Sequence, residues 1–420
     1  MTLLAIILRS IVGILSYPTT MILFWVVMAI VYFQYVRLAA MERQWTRRSP
    51  SPLARTMRSL GEGVVGGIAG SFLFVLLGPS VDQMGLGFLW VAALALAILD
   101  ARLICFSYSA GLACICSLLF DWPKLDVASV TAMVGVLHFV EAGLIWATGS
   151  HRAIPVLIAG PDGRPAGGFL MERFWPAPVA VGLMLYYPLS TALPDVLAMP
   201  DWWPLIRPTA SAPEGMQSVY ALVGLTAALG YSDLTYTRLP QQKARMNAAM
   251  SGCFSLVLLV LSVLSSTRDW AGWLAALFSP AGHELMVHLS RVTEMRRQPV
   301  FRPSVRGVMV LDVVRGSPSW QAGIRSGDVI ESINCRPILS SDDISEAIAV
   351  SPVAIVIDVR SALPGASRDT RTVRIRGAQS GLGLYLVPHE GKYPDIRSTR
   401  AGLLSLIARY LKARSSRRRM

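Results

Sequence analysis

Apolar positions dominate the chain up to residue 289 and come in runs, at 18–36, 63–78, 84–99, 103–120, 127–148, 177–193, 216–231, 247–266 and 270–289. Short polar stretches carrying Arg, Pro or Gly separate them. A helix needs roughly 20 apolar residues to cross a hydrocarbon layer of about 30 Å. Several runs sit near the lower limit, so the pattern predicts a polytopic α-helical membrane bundle of about eight to nine spans. Residues 1–16 carry Arg9 and end before Pro18, and read as an interfacial or re-entrant helix. They lack a small-residue cleavage site and run into the first span, so they are expected to be retained.

The pattern changes after Arg306. Arg306–Arg315 alternates as a strand does, Asp342–Val350 has helical spacing, and Val353–Val359, Thr372–Arg376 and Leu384–Val387 read as strands. Between them lie Gly316-Ser-Pro-Ser-Trp-Gln-Ala-Gly323, Ser326-Gly-Asp-Val-Ile330 and Ile333-Asn334. In this order the segments resemble a PDZ domain over residues 306–388. Such a domain implies a glycine-rich loop whose backbone N–H groups receive a peptide's terminal carboxylate. Nothing of that kind precedes residue 306, but Gly381-Leu-Gly-Leu-Tyr-Leu-Val387 supplies it at the far end. The resemblance therefore implies a small α+β, circularly permuted PDZ-like domain. Its carboxylate loop is Gly381, Leu382 and Gly383, its groove strand holds Leu384, Tyr385 and Leu386, and Asp342, Ile344 and Ile348 lie on the opposing helix. The expected organisation is a transmembrane domain over 1–292, a cytoplasmic PDZ-like domain over 303–390 and a basic tail over 391–420.

Composition strengthens the membrane reading. The chain is 53% hydrophobic and 15% charged, against about 25% charged in soluble domains. The net charge of +13 sits in short loops and the last two dozen residues, which is how topology signals look and argues against nucleic acid. Residues 37–60 hold Arg37, Arg43, Arg47, Arg48, Arg55 and Arg58 against Glu42, and residues 194–215 hold Asp195, Asp201 and Glu214 against Arg207. Basic and non-basic loops alternate, which places the C-terminal region in the cytoplasm. Trp202 and Trp203 suit an interfacial aromatic belt. Ile154–Gly168 reads as a hairpin turning at Gly160-Pro-Asp-Gly163.

Candidate chemistry is sparse. The five cysteines lack zinc-site spacing and read as buried thiols. His283 and His288 are five residues apart, which turns them about 140° from one another on a helix. That excludes the His-Glu-x-x-His metal motif, and Ser279 and Pro280 read instead as the opening of a short helix. His138 and Glu141 share one face of an apolar helix, where ionisable groups are functional candidates for a proton or ion path or, as the plainer alternative, fix neighbouring helices. No metal, cofactor or catalytic residue is assigned. Residues 397–420 hold eight basic residues and no acid. With Leu403, Leu404, Ile407, Tyr410 and Leu411 on one face, Arg409, Lys412, Arg414, Arg417, Arg418 and Arg419 suit an anionic lipid surface.

The early basic loop, Leu103-Ile-Cys-Phe-Ser-Tyr-Ser-Ala-Gly111, Leu137-His-Phe-Val-Glu-Ala142, Gly167-Gly-Phe-Leu-Met-Glu-Arg-Phe-Trp-Pro176 and Pro280-Ala-Gly-His-Glu284, followed by the PDZ-like domain, resemble the MinJ-type division proteins. The resemblance implies a non-enzymatic membrane scaffold in septum placement, enriched at septum or poles, that docks peptide or C-terminal segments of partners. DivIVA-like and MinD-like proteins are the implied partners. An intramembrane protease or transporter with a regulatory PDZ domain is the alternative.

Overall fold

The computed structural model describes residues 2–46, 51–160, 162–191, 197–207, 212–351, 353–363, 369–376, 381–391 and 393. Its N-terminal part is built from α1 (Leu3–Gly13), α2 (Pro18–Thr46), α3 (Pro52–Leu77), α4 (Leu86–Leu99), α5 (Phe106–Phe120), α6 (Val127–Thr148), α7 (Pro240–Ser265) and α8 (Asp269–Met295). Four of these, α2, α3, α6 and α7, are long and apolar enough to cross a membrane. Local chemistry sets their ends. Ser51 caps α3 ahead of Pro52, and Gly78 closes it in the left-handed region.

The runs at 177–193 and 216–231 are not helices. They fall largely in β2 (Pro165–Pro188) and β3 (Met216–Thr235), which pair antiparallel from end to end, with β1 (Ile154–Ala159) on the start of β2. The expectation of eight to nine helical spans is corrected accordingly: a long hairpin stands where two helices were expected. Apolarity alone does not separate a strand buried on both faces from a buried helix. Such burial is what β2 shows. Val27, Val31, Tyr35 and Leu38 of α2 cluster around Ile154, Leu170 and Phe174, while Met171, Trp175, Ala177, Val179 and Val181 join the main helical core.

Beyond β1, the free edge of β2 is sealed residue by residue. Phe174 N–H donates to Tyr35 Oη (3.3 Å), and Ser59 Oγ donates to the Phe174 carbonyl. Ala180 N–H donates to Ser71 Oγ (2.8 Å) and Met184 N–H to Ser80 Oγ (3.0 Å). These positions alternate with the β3-facing ones, and Pro176 and Pro178 share their parity, so proline removes the two donors that would point into the gap. Their carbonyls lie over Gly63 and Gly67 of α3, where any Cβ would collide with them. On the outer edge of β3, Ser10 Oγ donates to the Leu222 carbonyl (3.2 Å) and Gly230 N–H to Glu141 Oε1 (3.3 Å). Unpaired backbone groups are costly in an apolar surround, and this hairpin has side chains and glycines placed against them.

Helix α8 also departs from expectation. Ser279 and Pro280 do not open a helix; they lie inside one continuous helix. Ser279 Oγ donates to the Ser107 carbonyl (2.8 Å). Proline cannot donate to the Ala276 carbonyl, and Gly111 of α5 packs against that carbonyl and the Pro280 ring. Trp203 likewise does more than face an interface, since its Nε1 donates to the Val75 carbonyl at the end of α3 (2.6 Å).

The C-terminal domain comprises β4 (Val308–Val313), α9 (Pro318–Gln321), β5 (Asp328–Ile333), β6 (Arg336–Pro337), α10 (Ser341–Val350), β7 (Ala354–Ser361), β8 (Thr370–Arg376) and β9 (Leu384–Val387). The sheet runs β8-β7-β5-β4-β9, with β6 on β5. Val308, Val310, Ile330, Ile344, Ile355, Ile357 and Leu382 form its core. A separate cluster joins it to the hairpin: Phe169 from β2 packs with Phe301, Met309, Leu311, Val329 and Val387. The chain between the two regions continues the hairpin's hydrogen bonding, since Gly167 N–H donates to the Phe301 carbonyl (2.7 Å) and Val300 N–H to the Tyr236 carbonyl (2.8 Å). Below this joint, Lys243 is 1% exposed, with its Nζ 3.3 Å from Glu294 and 3.1 Å from the Ser290 carbonyl. Glu294 Oε1 accepts from Tyr236 N–H and Thr237 N–H, so the buried cation is both paired and hydrogen-bonded, as burial requires.

Candidate functional site

The candidate groove lies beside β9, the terminal strand of the C-terminal sheet. β9 pairs with β4 through Leu384 opposite Val313 and Val387 opposite Met309. The loop before it turns on two glycines with positive φ, Gly381 (87°) and Gly383 (70°), a conformation that side chains resist. Its carbonyls are pinned from behind, with Val314 N–H donating to Gly383 (2.8 Å) and Ser319 N–H to Leu382 (3.4 Å). Leu382 is buried, while Leu384, Tyr385 and Leu386 are half-buried. Across the core, α10 places Ile344 inside and Ile348 half-buried, and Leu384, Leu386 and Ile348 pack against one cluster. Asp342 stands exposed in the first turn of α10. Leu382, Leu384, Leu386, Ile344 and Ile348 are thus brought around one core, whereas Tyr385 packs on the cluster that holds Phe169 and Phe301 and Gly381 is exposed. Arg409, Lys412, Arg414, Arg417, Arg418 and Arg419 lie outside the described residues.

Two carboxylates fasten the domain. Asp343 accepts from Leu339 N–H (2.8 Å) and Ser340 N–H (2.9 Å), closing a capping box on α10; these bonds hold its carboxyl below the ordinary range. Hydroxyl donation from Ser332 (2.6 Å) and Thr372 (2.7 Å) does the same for Asp358 on β7. A depressed folded pKa stabilises the fold above the unfolded value, 3.8 for Asp, and that contribution is lost as pH falls through the folded value. Asp358→Asn is expected to flatten the acid limb of the domain's stability as pH falls below about 4. Amide exchange in β5 and β7 of the full-length protein checks it, and an unchanged pH slope would contradict the assignment.

His138 and Glu141 share a helix but serve different neighbours. Glu141 accepts from the β3 backbone at Gly230. His138, 6% exposed, turns toward α5 and α8: its Nε2 lies 3.3 Å from Cys105 Sγ and its Nδ1 2.9 Å from the Val134 carbonyl. His283 stands beside it, ring centroids 5.4 Å apart. The ligand atoms of Cys105, His138 and His283 all lie within 4.8 Å of one another. Sequence reasoning missed this trio and assigned no metal, because the three come from segments far apart and share no spacing. His288 is exposed and not among them. The cysteines also divide differently from expectation, since Cys253 and Cys335 are exposed.

Residues 309–360 match the family model for the PDZ domain. The chain carries a PDZ domain. The chain is also similar to the cell division topological determinant MinJ of Bacillus subtilis, at 22% identity over 266 residues, which is 63% of this chain and 62% of that protein. It is similar to the probable cell division topological determinant MinJ of Lacticaseibacillus paracasei at 25% identity, over 63% of this chain and 66% of that protein. The match thus spans just under two thirds of the length of these relatives. Serine protease HTRA4 of Mus musculus matches at 36% identity over 77 residues, 18% of this chain and 16% of the protease. The protease similarity belongs to the PDZ domain alone.

Proposed function

We propose that this protein is a multi-pass membrane adaptor whose PDZ domain, held on the cytoplasmic side, docks partner proteins during placement of the division septum. The observation that carries this reading is a turned glycine loop and edge strand, Gly381–Val387, in a PDZ domain anchored to a region with four membrane-length helices. In this reading the domain is circularly permuted. The amides of Leu382, Gly383 and Leu384 receive a terminal carboxylate, the peptide extends the sheet along β9, and α10 forms the far wall with Asp342, Ile344 and Ile348. Similarity to MinJ supplies the division role, with DivIVA-like and MinD-like proteins as the partners bridged. The basic tail adds contact with anionic lipid through Arg409, Lys412, Arg414, Arg417, Arg418 and Arg419.

A Cβ at Gly383 would press into the Ser317 side chain and lie 3.0 Å from Val314 Cβ. Gly383→Val is therefore expected to weaken binding of a carboxylate-terminated peptide, selected on the full-length protein, by about tenfold or more, equivalent to about 1.4 kcal/mol. The amidated peptide should bind the wild type as weakly. Equal binding of both peptide forms would remove the carboxylate loop from the account. In dividing cells, a fluorescent fusion should form septal or polar foci that disperse when the chain is truncated before Arg306. Uniform membrane signal in both forms would sink the division role.

A further inference from the structure

We propose that Cys105, His138 and His283 form a transition-metal site of the zinc class, joining α5, α6 and α8 inside the apolar region. It is independent of peptide docking by the PDZ domain. The donor set is one thiolate and two imidazoles, which suits zinc and its first-row neighbours and not the hard ions magnesium or calcium.

Hydrogen bonding around the trio fixes both rings for this role. A carbonyl can only accept, so His138 must carry its proton on Nδ1, where the Val134 carbonyl lies 2.9 Å away. That leaves the Nε2 lone pair directed at Cys105 Sγ, 3.3 Å off. His283 is oriented through a relay. Tyr108 Oη donates its only proton to Glu284 Oε2 (2.7 Å), so it must accept from His283 Nδ1, 3.1 Å away. His283 Nε2 is left with the lone pair. Arg102 in turn holds Glu284 (3.3 Å). Both imidazoles thus use Nδ1–H in outer hydrogen bonds and offer Nε2 inward, the arrangement that orients metal-bound histidines in proteins.

The scaffold around the trio is closely packed. Gly111 lets α5 seat against Pro280 of α8, which brings the start of α5 beside the His283 turn. Phe254 packs edge-on against both imidazoles, 5.3 Å from His138 and 6.0 Å from His283, and stacks on Phe278. Three protein donors leave a fourth tetrahedral position open. Metal entry replaces the Cys105 S–H bond with an S–metal bond and releases that proton to solvent, while both imidazoles enter neutral. Binding at three helices stabilises their packing by mass action.

The test uses the full-length protein in detergent, stripped with a chelator and titrated with Co2+ and then Zn2+. One equivalent of Co2+ is expected to give a thiolate-to-metal charge-transfer band with tetrahedral d–d bands, displaced by Zn2+ and lost in Cys105→Ser. Tyr108→Phe, which breaks the relay to His283 without removing a ligand, should lower affinity about tenfold or more and keep the band. X-ray absorption at the zinc edge of the wild-type protein should show one sulfur and two imidazoles, and it stands whether or not the variants fold. A cobalt spectrum without a charge-transfer band, a band that survives Cys105→Ser, or a shell without sulfur would overturn the site.

Discussion

Gly67→Val is expected to leave almost no folded protein. A Cβ at this position collides with the Pro178 carbonyl, which is backbone and cannot rotate aside. Overpacking costs typically 1–3 kcal/mol where side chains give way, and about 3 kcal/mol or more is expected where a strand must move off its helix. The displaced strand would also lose the bonds at Phe174 and Ala180 that depend on the same register. Thermal stability in detergent, followed by size-exclusion recovery, reads the effect. Gly61 on the same helix has open space around it, so Gly61→Ala should be neutral or gain about 0.5–1 kcal/mol from reduced backbone entropy. Equal losses in both variants would mean that α3 fails for reasons other than the hairpin contact.

Phe301→Ala carries the second largest expected effect. Phe301 is 0% exposed and packs edge-on against Phe169 of the hairpin, ring centroids 5.4 Å apart. Truncating a buried Phe costs about 3–5 kcal/mol, and here the loss falls on the joint between hairpin and PDZ domain. The PDZ core is a separate cluster, so that domain should keep its slow amide exchange while proteolysis between Arg296 and Gly307 accelerates. A variant in which exchange speeds up throughout β4, β5 and β7 would show that the joint and the domain fold as one unit.

Much of this was legible in the sequence, for reasons particular residues make plain. Leu384–Val387 is strand β9 as expected, the expected helix Asp342–Val350 is α10 with one residue added, and the Gly160–Gly163 turn separates β1 from β2. Period-two alternation and turn glycines are local signals, and local signals survive folding. The hairpin was missed because residues 177–193 and 216–231 are apolar on both faces, which removes the alternation that identifies a strand. The interior of α8 misled in the opposite way, since Pro280 is tolerated there by the packing of Gly111, which sequence cannot show. Of the candidate sites, the glycine turn at Gly381 and Gly383 was visible because its residues are contiguous, and both take positive φ. The Cys105–His138–His283 trio was not, because only the packing of α5, α6 and α8 assembles it.

The sealing of the hairpin also dictates an order of events during synthesis. Tyr35, Ser59, Ser71 and Ser80, which close the edge of β2, all precede it in the chain, as do Gly63 and Gly67. Ser10 and Glu141, which serve the far edge of β3, precede it too. A chain that emerges N-terminus first therefore has every one of these hydrogen-bonding partners made before the strands that require them. The groups that cover the edges of the hairpin thus stand ready in the chain ahead of the strands themselves.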